Sequence, residues 1–430
     1  MKKILSVIAI ISFSIFGYGQ CPNSQIELTS QADIDNFAAN YPGCTEVING
    51  FTIQGTGITN LNGLSVINSF SDSSVLTIQE TSIIDFTGLD NVTYVGGNFQ
   101  IIFNQDLETF NGLEQIVTIR KNLFVSGSFL ILNFDGFDSL NIIGGKLDVR
   151  TCIALIDFEG LNSLNTLGIN SVNNVGTRGL VVENNLALID FDFLNGISEI
   201  NGILKVVNNQ SLESFEGLNN VETIQGSMEI NDNNVLPNMS GLDGLVNVNQ
   251  FNIASNEVLE SLEGLNSLQT VNGSFRIRSN PNLVNIYALS NVSPDFLSSI
   301  LLVEDNTSLP NCDIAIICEN LFDPNLQIFI SNNLTGCNSQ AEIEENCILS
   351  NDDLALRRET ILYPNPVSNI LQVQTAPFYH IEGVRIFSIL GEELLFTSEK
   401  SIDVTDFSTG IYLLEVITDK GNVVKKIVKN

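Results

Sequence analysis

Seven cysteines and a single histidine limit the chemistry that this 430-residue sequence can perform. Cys152, in the stretch LDVRTCIAL, lies far along the chain from its nearest cysteine neighbours, Cys44 and Cys312. A leftover thiol is either a reactive nucleophile or a structural group. A nucleophile activated by histidine needs that histidine close by, and the one histidine, His380, belongs to the C-terminal segment. The sequence therefore predicts that Cys152 is a buried, unreactive thiol.

Carboxylates are the other candidates for catalysis, because the chain contains 49 aspartates and glutamates. The best-placed pairs are Asp190 with Asp192 and Glu304 with Asp305, and β-helix enzymes cleave sugars with such pairs. Adjacent acids are nevertheless expected by chance in so acidic a chain, and no spaced Asp-x-Asp-x-Asp-Gly calcium loop occurs. We predict no catalytic residue, no metal site and no cofactor, with a polysaccharide lyase or glycoside hydrolase as the alternative.

A repeat of about 24 residues must position these groups. Segments such as LKVVNNQSL, FNIASNEVL and FRIRSNPNL share the pattern apolar-x-apolar-x-x-(Asn/Thr/Ser/Cys)-x-x-apolar. Their first apolar residues lie 23 to 26 residues apart, with one gap of 33, at Phe51, Leu76, Phe99, Leu123, Leu147, Leu180, Leu204, Met228, Phe251, Phe275, Leu301 and Leu326. Glycine recurs with the same period at Gly63, Gly88, Gly112, Gly136, Gly160, Gly217, Gly241 and Gly264.

Each repeat is predicted to form one coil of a solenoid. The apolar-x-apolar piece is a short strand whose alternate side chains point inward, and stacking about 12 coils merges these side chains into a core that one coil could not form. We expect the fifth residue after each strand start to bond the backbone of the next coil, as in a ladder. These positions hold Thr56, Thr81, Asn104, Ser128, Cys152, Asn185, Asn209, Asn233, Asn256, Asn280, Asn306 and Ser331.

Capping segments are predicted at both ends of the solenoid. Ser30, with Asp33 three residues later, has the spacing of a helix N-cap, and Pro42-Gly43 ends this short helix. Cys21 and Cys44 flank the helix, so we expect them to form a disulfide. At the other end lie Cys312, Cys318, Cys337 and Cys347. These four allow three connectivities, which the sequence leaves open, and disulfides are favoured over a metal site because no histidine lies nearby.

The repeats resemble a known group of proteins. The phrases SFRIRSNPNL and ESLEGLNSLQTVNG, with the LTSQADIDNFAANYPGCTEVINGFTI entry and the cysteine-bearing exit, are similar to the receptor L-domain and leucine-rich-repeat-like modules of secreted bacterial proteins, many from the Bacteroidetes. The resemblance covers about residues 21–347. It implies a right-handed parallel β-solenoid or, alternatively, an α/β leucine-rich-repeat horseshoe, and ligand or protein binding as the usual role.

The C-terminal segment has a different pattern. Alternating runs at Ile370–Val373, Val384–Phe387 and Ile411–Val416, bounded by glycine turns, predict a small β-sandwich. The phrases YPNPVSN, DVTDFSTGIYLLEV and GNVVKKIVKN closely resemble the type A sorting domain of the type IX secretion system. This resemblance implies outer-membrane translocation by that machinery, usually with removal of the tail, and it assigns the sorting motif to Tyr363, Pro364, Asn365, Pro366, Gly410, Tyr412, Lys425 and Lys426.

The N-terminus has the features of an export signal. Lys2 and Lys3 precede an apolar core that is short for a membrane span, and Gly17-Tyr18-Gly19 fits signal-peptidase cleavage before Gln20. No other stretch predicts a transmembrane helix. The predicted boundaries are 1–19 signal peptide, 20–50 N-terminal cap, 51–310 solenoid, 311–347 cysteine-rich cap, 348–360 linker and 361–430 sorting domain. The chain is predicted to be all-β dominated and secreted or held at the outer cell surface.

The net charge of −31 restricts the partners. Residues 20–347 contain 8 basic and 38 acidic residues, and such a surface repels nucleic acid and anionic membranes. We predict binding of an extracellular protein or glycan, as in adhesion or recognition. Apolar residues at outward strand positions cluster mid-solenoid, and scarce arginines accompany them. The predicted ligand surface comprises Ile102, Phe103, Phe124, Arg150, Arg178, Val181, Val207, Arg276 and Arg278. The 33-residue gap places an insertion at Gly168–Leu180, which we expect to project as a loop.

Overall fold

A computed structural model describes residues 21–168, 175–347, 356, 360–376, 379–388 and 391–430. The predicted signal peptide and most of the predicted linker lie outside the described residues. The chain divides into two compact units. Unit 1 comprises the residues through Asn311 together with Ala315–Leu334, and unit 2 comprises Cys312–Ile314 with Thr335–Asn430.

Unit 1 is a parallel β-solenoid of about 12 turns, which confirms the predicted fold class. Its main parallel sheet, sheet A, has one strand in each coil. The strands are β1 (Ile26–Leu28), β3 (Phe51–Gln54), β5 (Val75–Gln79), β7 (Asn98–Ile102), β9 (Leu123–Ser126), β11 (Lys146–Arg150), β13 (Gly179–Glu183), β15 (Ile203–Val207), β16 (Thr223–Asn231), β17 (Asn247–Ala254), β19 (Phe275–Arg278), β20 (Ile300–Glu304) and β21 (Gln327–Ser331). We number coils 1 to 12 from β3 to β21. β1 pairs with β3, so the N-terminal cap supplies a first strand.

A second parallel sheet, sheet B, consists of strands two residues long. They are β2 (Glu46–Val47), β4 (Ser69–Phe70), β6 (Tyr94–Val95), β8 (Thr118–Ile119), β10 (Ile142–Ile143), β12 (Thr166–Leu167), β14 (Glu199–Ile200) and β18 (Thr270–Val271). β16 and β17 continue around the corner and contribute to both sheets. The segment from the ladder residue of one coil to its next sheet B strand is here called the turn side. Among described residues the coils contain there the 3-10 turns Asn62–Leu64, Tyr287–Leu289 and Pro294–Phe296 and, in coil 11, one four-residue α-helix, Ala315–Cys318. An α/β horseshoe would instead have a helix in each coil.

The inward side chains form one continuous core. A column of phenylalanines on the turn side stacks face to face through six coils, with ring centroids 5.2 to 5.9 Å apart and ring planes within 12° of parallel. Its members are Phe86, Phe110, Phe134, Phe158, Phe191 and Phe215, and all are fully buried. Stacked aromatic pairs stabilise beyond their buried area, so this column stabilises the middle coils from within.

The recurring glycine follows from the spacing of the coils. Gly160 has φ +97°, and a Cβ there would collide with the carbonyl of Phe134 in the coil before it. Only glycine fits such a close approach without strain. Coil 6 is the exception, because Phe193 occupies the equivalent position with φ +77°.

The N-terminal cap contains the predicted helix in two pieces, α1 (Gln31–Asp35) and α2 (Phe37–Asn40). Ser30 and Asp33 form a reciprocal capping box at the start of α1. Cys21 and Cys44 are joined by a disulfide, and so are Cys312 and Cys337. Cys318, at the end of α3 (Ala315–Cys318), and Cys347 are also disulfide-bonded. Residues 340–347 are helical.

The predicted register fails in the first and last coils. Ile328, not Leu326, pairs with Leu301, so the ladder residue of coil 12 is Asn333 and not Ser331. A shift of two residues leaves the inward face of a strand unchanged, and the alternation alone cannot detect it. Thr56 is exposed and outside the ladder, because Gly55 before it has φ +142° where the other coils turn at +52° to +70°.

Unit 2 contains the C-terminal β-sandwich. Its strands are β22 (Ile361–Tyr363), β23 (Ile370–Gln374), β24 (Ile381–Ser388), β25 (Glu393–Thr397), β26 (Ser401–Asp403), β27 (Gly410–Thr418) and β28 (Gly421–Lys429). Antiparallel sheets β22–β23–β26 and β25–β24–β27–β28 enclose one core. Leu356, inside the predicted linker, is fully buried in that core, and Thr360 donates its backbone N–H to the Leu356 carbonyl (3.0 Å). The folded tail therefore includes part of the predicted linker.

Candidate functional site

The corner between sheet A and the turn side is held by the ladder. The residue before each ladder position has positive φ in every coil, from Gly55 to Asn332, which turns the chain inward. The side-chain oxygen of each ladder asparagine then accepts the backbone N–H of the preceding ladder residue, at 2.9 to 3.2 Å. Its amide donates to a carbonyl of the strand before it. The continuous run comprises Asn185, Asn209, Asn233, Asn256, Asn280, Asn306 and Asn333, all buried.

Coils 4 and 5 interrupt this ladder. Asn104 accepts from the backbone and hydroxyl of Thr81, but coil 4 has Ser128, whose buried hydroxyl has no hydrogen-bond partner. Coil 5 has Cys152, whose sulfur lies 3.5 Å from the Arg150 carbonyl. Burial raises the pKa of the Cys152 thiol to about 12, against a weaker opposing effect of backbone N–H groups of coil 4. Among the groups that the structure describes, no cation or histidine counteracts this burial, so the thiol is neutral.

The outer face of sheet A holds a charged network in coils 5 to 7. The Arg150 guanidinium lies 2.5 Å from Asp148 and 2.8 Å from Glu183, and Lys205 lies 2.6 Å from Glu183. The hydrogen bond to Asp148 is the main reason that the pKa of Arg150 is raised. The cations therefore neutralise neighbouring carboxylates on the same face, and Arg150 is not free for an anionic ligand.

The burial of two residues corrects the predicted ligand surface. Val181 is 1% exposed and Arg178 is 8% exposed, so neither belongs to an open face. The described end of the insertion, Val175–Thr177, forms a 3-10 turn next to β15 and β16, and Gly176 and Thr177 in it are exposed. The rest of the insertion, 169–174, lies outside the described residues.

The other members of the predicted surface are spread apart. Ile102, Phe124, Val207 and Arg276 are half-buried on sheet A, and Arg278 is exposed. Phe103 is exposed at the turn corner with φ +52°, and its ring packs over Gly127, where a Cβ would collide with it. The structure therefore divides the predicted surface: Ile102, Phe124 and Val207 lie on the outer face of sheet A in coils 3 to 7, whereas Arg276 and Arg278 lie in coil 10.

A cluster of exposed aliphatic side chains lies instead on the turn side of coils 4 to 6. Six aliphatic side chains there are 38% to 52% exposed: Leu130, Leu132, Ile153, Ile156, Leu186 and Ile189. We call these six residues the central apolar patch. Backbone bonds from Ile156 N–H to the Leu132 carbonyl (2.8 Å) and from Ile189 N–H to the Ile156 carbonyl (3.0 Å) place three of them in one column. With coils about 4.8 Å apart, the column is a contiguous ridge.

Carboxylates border the patch at both ends of the stack and along one flank. Along the stack, Glu108 and Glu213 occupy the position of Ile156 in coils 3 and 7, and Glu213 N–H bonds the Ile189 carbonyl at 2.8 Å. Beside it run the exposed Asp135, Glu159, Asp192 and Glu216. The turn sides of coils 3 to 7 (104–117, 128–141, 152–165, 185–198 and 209–222) contain no lysine or arginine.

The predicted carboxylate pairs differ in their surroundings. Asp190 accepts the Asp192 N–H at 3.0 Å, and burial, with Asp192, Asp157 and Glu216 nearby, raises the pKa of Asp190. Glu304 accepts from the Ser331 hydroxyl and Asp305 from the Asn332 amide, so this pair holds coil 12 in place. Within the described ranges, no three His, Cys, Asp or Glu side chains form a group able to hold a metal ion.

Surface hollows occur in the C-terminal half of unit 1. One of about 560 Å³ is lined by both polar and apolar groups, among them Asn266, Gln269 and Asn291 and the exposed ring of Phe296. A second of about 370 Å³ shares Asn266 and includes Tyr287. Both are shallow, and neither contains a predicted site residue.

The predicted sorting motif is assembled by the last strand. The Asn365 side chain donates to the Lys426 carbonyl (3.0 Å) and accepts the Val428 N–H (2.9 Å), which fixes the exposed Pro364-Asn365-Pro366 segment against β28. The Tyr412 hydroxyl donates to the Ser408 carbonyl (2.7 Å) near Gly410. Tyr363 and Lys426 are exposed, and Lys425 is half-buried.

Comparison with known families identifies this tail. Residues 361–430 match the family described as the secretion system C-terminal sorting domain. The chain thus carries a type IX sorting domain, which marks secreted or cell-surface proteins and implies interaction with that export machinery. No curated protein shows significant similarity to the chain. None of the helices in the described ranges combines the length and apolar character needed to cross a membrane.

The central apolar patch was missed by the sequence reasoning, although its signal is visible. The five residues that begin with the ladder residue are polar in coils 3 and 7, where they read NQDLE and NQSLE. In coils 4 to 6 they read SFLIL, CIALI and NLALI.

Proposed function

We propose that this exported protein is a recognition or adhesion protein that binds a protein or glycan ligand through the central apolar patch and has no enzymatic activity. The observation that carries the proposal is the concentration of departures from the repeat. Coils 4 to 6 contain the exposed patch, the ladder interruption, the insertion and Phe193 in place of glycine. Contiguous exposed apolar surface on a soluble protein marks an interaction site.

We also infer that the solenoid is a relative of receptor L-domain and leucine-rich-repeat-like modules. The apolar-x-apolar strands, the asparagine ladder and the disulfide-bonded N-terminal cap support this relationship. Binding on an exposed solenoid face is the role that the relationship implies.

A binding screen with matched variants tests the proposal. Purified chain is applied to a glycan array and to extracellular protein preparations, beside Ile156→Gln/Ile189→Gln and the control Val258→Gln/Val284→Gln. The control residues are also exposed turn-side aliphatics, in coils 9 and 10. Loss of binding only in the patch variant is expected. Equal binding by both variants would remove the patch as the recognition surface.

A carboxylate-dependent sugar-cleaving enzyme is the second candidate, favoured by one observation. The raised pKa of Asp190 beside Asp192 resembles the environment of an acid catalyst. Release of reducing or unsaturated ends from a polysaccharide panel, abolished by Asp190→Asn, would establish the enzyme and contradict the binding-only proposal.

Export through the type IX system is tested by deleting Tyr363–Asn430. The chain without this segment lacks the exposed Pro364-Asn365-Pro366 loop and the strand that holds it. We expect the truncated protein to accumulate inside the outer membrane while the full chain reaches the medium or surface. Unchanged appearance outside the cell would contradict the role of the tail.

A further inference from the structure

We propose that the occupant of the central apolar patch is a cationic polypeptide segment whose aliphatic side chains are flanked by lysine or arginine. The inference rests on the proposed function and gives the chemistry of its ligand.

The centre of the patch favours aliphatic side chains over sugars. Its six exposed residues are all leucine or isoleucine. These six side chains offer no polar atom for a hydroxyl group and no aromatic ring for stacking on a sugar face, and the two phenylalanines beside them, Phe129 and Phe193, are half-buried. The fully buried phenylalanine stack lies beneath these coils and fixes their shape, so a partner meets a preformed surface. Preformed apolar surfaces bind with little ordering cost.

The border of the patch determines the charge of the partner. Glu108 and Glu213 limit it along the stack, and Asp135, Glu159 and Asp192 run beside it. No lysine or arginine of these turn sides neutralises them. A partner carrying cations at the same distance from its apolar centre would gain complementary contacts, whereas an acidic partner would be repelled.

The same charges argue against a second copy of this chain as the occupant. A two-fold contact places the same patch on both partners. Glu159 and Asp192 of one chain would then face carboxylates of the other. The cations of the solenoid lie on sheet A and its neighbouring corners, so they would not offset this repulsion. The net charge of −31 adds to this repulsion.

The test uses a fluorescein-labelled synthetic helix with one leucine face flanked by lysines. Fluorescence anisotropy measures its binding to the purified full-length chain at about 150 mM and about 500 mM salt. Two control peptides replace leucine by serine or lysine by glutamate. Protein variants are Ile156→Gln/Ile189→Gln with its control Val258→Gln/Val284→Gln, and Glu159→Gln/Asp192→Asn with its control Glu260→Gln/Glu263→Gln.

We expect the Ile156→Gln/Ile189→Gln variant to bind the leucine–lysine peptide at least about 10-fold more weakly. The rim variant should lose about 3-fold or more and show a smaller salt dependence, while both controls stay within about 2-fold of the natural chain. Equal loss in the control variants would show general attraction to an acidic surface and overturn the proposal. Equal affinity of the serine peptide would also overturn it.

Two further outcomes separate this inference from the proposed function. Equal patch-dependent binding of the glutamate peptide would refute the cationic partner but leave the patch as a binding surface. Sedimentation that reveals a dimer, lost in Ile156→Gln/Ile189→Gln, would make a second copy the occupant and overturn the inference. If the cationic peptide binds the patch, but ligands from the binding screen bind the Ile156→Gln/Ile189→Gln variant as well as the natural chain, the proposed function is refuted. The inferred chemistry of the patch is then still supported.

Discussion

The ladder makes a quantitative prediction, because two residues at the same position have very different partners. Asn209 accepts the Asn185 N–H at 3.0 Å and donates to the Val182 carbonyl at 3.0 Å. The side chain of Cys152 at the equivalent position makes weak sulfur contacts, to the Arg150 and Val125 carbonyls at 3.5 and 3.9 Å. We compare Asn209→Ala with Cys152→Ala.

The magnitudes follow from what each truncation leaves behind. Asn209→Ala strands one backbone N–H and one carbonyl in the core, each costing about 1–3 kcal/mol. The truncation also leaves a small cavity, and together these costs should lower the free energy of unfolding by about 3–5 kcal/mol. Cys152→Ala removes one buried sulfur and weak contacts, and should cost about 1 kcal/mol. The two variants should therefore differ by at least about 2 kcal/mol.

Urea unfolding followed by far-UV circular dichroism measures the difference, with disulfides intact in both variants. The natural chain contains no tryptophan, so the backbone signal is the direct probe. An Asn209→Ala variant no less stable than Cys152→Ala would refute the view that the side-chain ladder holds the coils together. Cys152→Asn is the reciprocal variant and should gain about 1 kcal/mol if its amide completes the ladder.

Three further predictions concern pH and backbone conformation. The Cys152 thiol should resist thiol reagents until the chain unfolds. Because its pKa is raised from 9.0 to about 12, only the unfolded chain loses the thiol proton just above pH 9. Urea titrations should therefore show that the stability of the natural chain falls relative to that of Cys152→Ser between pH 9 and about 12. Asp190→Asn should raise stability by about 0.5 kcal/mol or less at neutral pH, since Asn133 already makes the same turn bond in coil 4. As the pH falls through the raised pKa of Asp190, protonation should remove the difference in stability between the natural chain and the variant. A difference that grows at low pH would contradict this. Gly160→Ala should cost more than about 2 kcal/mol in thermal or urea unfolding, while Gly176→Ala, where a Cβ meets nothing within 4 Å, should change little; similar costs would disprove the close-approach argument.

Much of the solenoid could be predicted because its determinants repeat in the sequence. The capping box of Ser30 and Asp33 and the asparagines of the ladder depend on neighbours at fixed spacing. The register of coil 12 could not be predicted, since Leu326 and Ile328 lie on the same face of an alternating strand. The burial of Leu356 was also missed, because its segment NDDLALRRET is rich in charged residues, which is typical of a linker.

For the candidate site, what the sequence determined is clearly separate from what the tertiary structure decided. The repeat period determined by itself that unit 1 is a stack of parallel coils, and the motifs of residues 361–430 determined the sorting domain. Both are local patterns that the chain carries in order. Only the tertiary structure decided which outward residues remain exposed. Val181 is buried on sheet A, where the described end of the insertion contacts the neighbouring strands, whereas Leu132, Ile156 and Ile189 become one surface because backbone bonds align three distant segments. Exposure depends on what distant parts of the chain cover, and periodicity contains no information about that.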